Sequence, residues 1–122
     1  SLNKETNTMA NPSTKAKIRD ALIAFNDTQK DFQDMGMCGY AIVLLNFGRK
    51  RKLVEHYQRM GLITERTWNH YGRKYYVCEI KVGNDLHVQA YAYNEARGRV
   101  LLNAIKEEVD EGVDVDMHTW ID

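Results

Sequence analysis

At Gly61 the periodicity of the chain changes, and this switch constrains the fold more than any other feature. Upstream, apolar residues return at helical intervals. Ile18, Leu22, Phe25 and Phe32 do so in one stretch, and Leu53, Val54, Tyr57 and Met60 in another. Downstream, residues 63–69 and 74–82 are rich in Thr, Trp, Tyr, Val and Ile, the composition of strands. Asn69-His70-Tyr71-Gly72 punctuates them as a hairpin turn, and Gly83-Asn84-Asp85 marks a second turn. Residues 86–93 then alternate, with Leu86, Val88, Ala90 and Ala92 on one side and His87, Gln89, Tyr91 and Tyr93 on the other. That pattern predicts a third, half-buried strand.

The other elements follow from caps and breakers. Asn11 or Ser13 can cap a first helix over 13–33, with Pro12 tolerated in its first turn and Asp34-Met35-Gly36 as its stop. Residues 40–47 are apolar on every side, so periodicity does not separate a buried helix from a buried strand. Ala41, Leu44 and Leu45 favour a second helix there. A third helix over 49–60 ends at Gly61. Asn94 caps a last helix whose apolar side carries Val100, Leu101, Ala104, Ile105 and Val109, and Gly112 ends it. The tail 113–122 mixes acids with Val113, Val115, Met117 and Trp120, so it is expected to dock on the fold. The expected class is α+β: three N-terminal helices, an antiparallel three-stranded meander and a C-terminal helix. Residues 1–12 are expected to be a flexible leader, and 13–122 a single domain.

The net charge is zero, yet the charges are segregated. Residues 49–74 hold eight bases and two acids, a net +6, whereas 85–122 hold three bases and nine acids, a net −6. The basic middle suits a polyanion. The acidic end can repel it, shield the basic patch, bind a basic protein, or pair with the basic middle of its own chain. No run of about 18 apolar residues exists, which excludes a helical membrane span, and a cytoplasmic location is expected. Cys38 and Cys78 sit beside apolar residues and read as reduced core thiols.

Residues 48–77 combine a basic helix start, a Met60-Gly61-Leu62-Ile63 exit and a hairpin tipped by Arg73 and Lys74. In this arrangement the chain resembles the winged helix-turn-helix DNA-binding family over about residues 13–82. The resemblance implies a recognition helix beginning at Arg49, Lys50, Arg51 and Lys52, with Tyr57 and Met60 facing the core. It implies a wing tip from His70 to Lys74, and a role in transcription regulation. Physical chemistry gives the same residues a separate argument. Four cations at a helix N-terminus oppose the macrodipole by about 0.3–1 kcal/mol each, so another interaction must favour them. Phosphate contact is the candidate. The candidate nucleic-acid-binding set is therefore Arg49, Lys50, Arg51, Lys52, Arg66, Arg73 and Lys74. Trp68 and Tyr71 can stack on bases where exposed. A solvated linker and a packed sheet face account for the same residues without a ligand.

Other chemistry leaves fewer marks. Glu79-Ile80-Lys81 is similar to the strand motif of the PD-(D/E)xK nucleases, in which carboxylates hold a divalent metal and a lysine polarises water. His56, His70, His87 and His118 show no ligand spacing, and Ser1 and Ser13, both within the polar N-terminal stretch, are the only serines. No phosphate-binding glycine loop is present. No catalytic residue, metal or cofactor is expected. The leading expectation is a small DNA-binding regulatory or accessory protein of phage or mobile-element type, with a homodimer as a candidate assembly. The alternative is a protein–protein adaptor or inhibitor acting through its acidic end, and the third is the metal nuclease.

Overall fold

In the computed structural model, which describes residues 11–33 and 36–122, three helices and four strands make up the fold. They are α1 (Pro12–Asp27), β1 (Gly39–Asn46), α2 (Arg51–Arg59), β2 (Thr67–His70), β3 (Arg73–Cys78), α3 (Tyr91–Glu108) and β4 (Asp114–Ile121). The strands form one antiparallel sheet in the order β2-β3-β1-β4.

This is α+β, but not the expected arrangement of three N-terminal helices, a three-stranded meander and a final helix. The first correction is at 40–47, expected as a helix and found as β1. Val43, Leu45 and Phe47 enter the core under the helices, while Leu44 joins a second cluster with Tyr75 and Val77. A central strand covered on both faces is apolar at every position, so its alternation vanishes. The second correction is at 86–93. His87 has a φ of 55°, which breaks extended backbone, and the segment keeps a single bridge, Cys38 to Ala90, before α3 begins at Tyr91. Asn94, expected as a cap, instead donates from Nδ2 to the carbonyls of Gly39 and Val88 at 2.9 and 3.1 Å. The third correction is the strand count: the tail docks as expected, but does so as a fourth strand, β4, which pairs with β1 along its full length, from Gly39↔Ile121 to Asn46↔Asp114.

The elements at 13–33, 49–60 and 63–82 are found with shifted ends. Asn11 and Thr14 form a reciprocal capping box with Pro12 in the first turn, and α1 stops at Asp27. The expected leader otherwise falls on residues 1–10, outside the described residues, as does most of the Asp34-Met35-Gly36 stop. Helix α2 closes in a Schellman motif: Leu62 N–H donates to the Tyr57 carbonyl and Gly61 N–H to that of Gln58, both at 3.0 Å, with Gly61 at φ 73°. Tyr71 (φ 51°) and Gly72 (φ 74°) form the two-residue turn between β2 and β3, with positive φ at both positions as a type I′ turn demands.

Helices α1 and α3 pack on one face of the sheet around Ile18, Leu22, Leu101 and Ile105. Close approach is built into α3: a Cβ on Gly98 would lie 2.9 Å from Ala41 Cβ and 3.1 Å from Met117 Sδ. Asp85 fastens the 79–90 segment. It accepts Arg97 Nε at 2.7 Å, Asn26 Nδ2 at 2.8 Å and the Val82 N–H at 2.9 Å. The sheet curls, so that side chains of its two edge strands meet over the other face. The rings of Trp68 on β2 and Trp120 on β4 lie 6.2 Å apart and 15° from parallel. Beneath them Leu44, Tyr75 and Val77 are buried. Cys78 is a buried thiol as expected, but Cys38 is exposed, a correction to its reading as a core residue. No helix among the described residues is long and apolar enough to cross a membrane.

Candidate nucleic-acid interface

The β2–β3 turn brings the start of β3 beside the start of α2, and a groove of about 570 Å³ opens between them. Arg51, Arg73 and Lys74 line it together with Asn46, Gln58 and Tyr76, and Glu55 is the acid on its wall. One cation of the basic helix start, Arg51, and the two at the hairpin, some twenty residues away in sequence, thus share one open groove. The Arg73 Nη2 donates to Asn46 Oδ1 at 2.7 Å and to Asp114 Oδ2 at 2.8 Å. Asp114 raises the Arg73 guanidinium further above its ordinary pKa. Arg73 stays half exposed, and its remaining donors are open to a ligand. The Lys74 ammonium sits 5.4 Å from the centre of the Tyr76 ring.

Not every expected residue joins this groove. Arg49 and Lys52 are exposed beside it but do not line it. Lys50 occupies the N-cap position of α2 without a side-chain cap, and its Nζ donates to the Glu111 carbonyl at 2.7 Å, tying α2 to the turn before β4. Arg66 lies elsewhere, on a second cavity of about 440 Å³ with Tyr40, Glu79 and the Asp85–Arg97 pair. Asn46 is the residue that sequence reasoning missed. Besides holding Arg73, it donates from Nδ2 to the Lys74 carbonyl at 2.7 Å and accepts the Gly48 N–H at 3.1 Å. The one signal for it is a lone amide at the end of an apolar run.

The remaining candidate chemistry is accounted for by the fold. Glu79 and Lys81 pair with each other at 3.7 Å. Among the described residues no group of three or more His, Cys, Asp or Glu is arranged to hold a metal. Cys78 is pushed up to about 12 by burial, far from a reactive thiolate. Asp110 is 6% exposed, and neither of its carboxylate oxygens has a hydrogen-bond partner among the described residues. Burial raises its pKa, opposed by His56, Tyr57 and Lys50. Tyr57 beside it is pushed up to about 12 by its own burial, and its hydroxyl accepts the Asp110 N–H at 2.8 Å.

No family model matches the chain, so none bears on the winged-helix resemblance, and neither the curated proteins nor the solved structures contain a match to it.

Proposed function

We propose that the protein is a small cytoplasmic DNA-binding regulatory or accessory protein, of phage or mobile-element type, that holds backbone phosphates in the groove between α2 and β3. The observation that carries this reading is the convergence of Arg51, Arg73 and Lys74 on that groove. Three cations lining an open concavity, with the Gln58 amide beside them, offer a phosphate both charge and directed donors. The proposal does not depend on a winged-helix topology. It rests on charge placement alone, so it implies backbone contact without base readout.

The adaptor reading loses part of its support because three of the six acids in 107–116 are engaged within the molecule. Glu108 meets Lys17 at 3.8 Å, Asp114 meets Arg73 at 2.8 Å and Asp116 meets His70 at 3.2 Å. The nuclease reading lacks a ligand cluster around Glu79 among the described residues. The test of the proposal is binding of a fluorescently labelled 20-base-pair duplex, followed by anisotropy. Affinity that falls steeply as salt rises from 50 to 200 mM is expected. No binding at 50 mM salt would remove the reading.

A further inference from the structure

The concave face of the sheet carries a continuous row of rings. Tyr40 lies 5.7 Å from Trp120, Trp120 lies 6.2 Å from Trp68, and His118 lies 5.7 Å from Trp68. His118 is 5.3 Å from His70, and His70 is 4.4 Å from Tyr71 at the hairpin tip. The helices cover the opposite face, and Trp68, His118, Trp120 and Tyr40 are each partly exposed.

We propose that this ring row stacks unpaired nucleobases, so that the strand held in the groove is single-stranded nucleic acid. The inference rests on the phosphate-binding reading of the groove and extends it to the state of the ligand.

Three observations support it. First, the row runs into the groove: Arg73 lines the groove, and its guanidinium stands 5.7 Å from the centre of the Tyr75 ring on the concave face. At the far end Arg66 and Tyr40 line the second cavity together with Glu79, Lys81 and the Asp85–Arg97 pair. Second, Tyr71 is 91% exposed and held at positive φ, a position where glycine or asparagine would be less strained. Burial does not explain an aromatic side chain there, whereas contact with a base does. Third, the two acids that β4 places on this face are already engaged, Asp114 by Arg73 and Asp116 by His70. A base has a π face to lay against such rings only when it is not stacked within a duplex, and stacking of this kind tolerates any sequence.

The chain has two tryptophans, and both lie in the row, so intrinsic fluorescence reads this face directly. The experiment titrates the whole protein with a 12-nucleotide oligothymidylate, its ribo-uridylate counterpart and a 12-base-pair duplex. It follows tryptophan quenching together with anisotropy of the labelled strand. Quenching by a single strand of either sugar, with affinity about tenfold above the duplex, is the expected result; the better of the two identifies the source. Trp120→Ala should weaken single-strand binding by roughly 5- to 150-fold, the range of stacking on one base. Tyr71→Ala, at a solvent-exposed position that cannot unfold the core, should weaken it at least about fivefold. Equal single-strand and duplex affinity without quenching, unaffected by Tyr71→Ala but still reduced by Arg51→Gln with Lys74→Gln, would overturn the stacking inference and leave the groove standing. Absence of binding to any of the three would remove both.

Discussion

The His70 Nε2 atom lies 3.2 Å from Asp116 Oδ2, although two strands separate β2 from β4 in the sheet. Only a strongly curled sheet brings these residues together. The pair, with Trp68 against Trp120, closes the curl over Leu44, Tyr75 and Val77. His70 is the buried partner, with its side chain 10% exposed against 49% for Asp116. His70→Ala is expected to destabilise the protein by about 1–2 kcal/mol in urea unfolding. A double-mutant cycle with Asp116→Asn should give a coupling of at least about 0.5 kcal/mol. Additive effects would show that the ring contacts alone hold the curl.

Asp85 anchors the 79–90 segment to α1 and α3. Burial pushes its carboxyl up, but Arg97, the Val82 N–H and Asn26 together outweigh burial and hold it below the ordinary 3.8. A depressed pKa means that the unfolded chain takes up the proton first as pH falls. The stabilisation is therefore present above about pH 4 and is lost as pH falls through the folded-state value. Asp85→Asn leaves Arg97, 18% exposed, without its charge partner, and should cost roughly 3 kcal/mol at pH 7. Thermal unfolding from pH 7 to pH 2 should show this gap narrowing at the acid end.

Asp110 works in the opposite sense. Its carboxyl is raised above 3.8 by burial, despite the nearby His56, Tyr57 and Lys50. The folded protein thus holds this proton longer than the unfolded chain does. Stability from this residue is greatest below pH 3.8 and falls as pH rises through the folded-state value. Asp110→Asn cannot ionise. It should stabilise the protein by about 1 kcal/mol at pH 8, and the advantage should vanish near pH 3. A variant less stable than the parent at pH 8 would mean that the carboxylate has a partner the fold does not reveal.

Much of this architecture was legible in the sequence, for identifiable reasons. Helices α1 and α2 are one-sided, so Ile18, Leu22, Leu53 and Tyr57 announce them. Tyr71-Gly72 announces the hairpin. Strand β1 was not legible because burial on both faces erased its period. The alternation at 86–93 is real in sequence, but His87 adopts positive φ and Tyr93 belongs to a helix. The docking of the tail is legible from Trp120, whereas its pairing with β1 is not, because residues about 70 to 80 positions apart must be matched. In the groove, charge marks Arg51, Arg73 and Lys74. Asn46, neutral at the end of an apolar run, carries no such mark, and charge alone does not distinguish Arg66 from the cations that the fold separates it from.

Asp114 is the internal competitor for the groove. It holds Arg73 at 2.8 Å and places a negative charge beside any bound phosphate. Asp114→Asn should therefore tighten DNA binding severalfold at low salt and make little difference at high salt, where exposed charges are screened. Anisotropy titrations at 50 and 300 mM salt check this. Weaker binding in the variant would show that Asp114 positions Arg73 rather than competing for it.

The most direct measurement of the central claim is the slope of log affinity against log salt for duplex DNA, wild type against Arg51→Gln with Lys74→Gln. Three neutralised phosphates predict a wild-type slope of about −2.7, and the double variant should fall to about −0.9. Lys81→Gln, an exposed cation outside the groove, should leave the slope unchanged. A double variant with the wild-type slope, or a Lys81 variant that lowers it equally, would contradict the assignment of phosphate binding to the groove between α2 and β3.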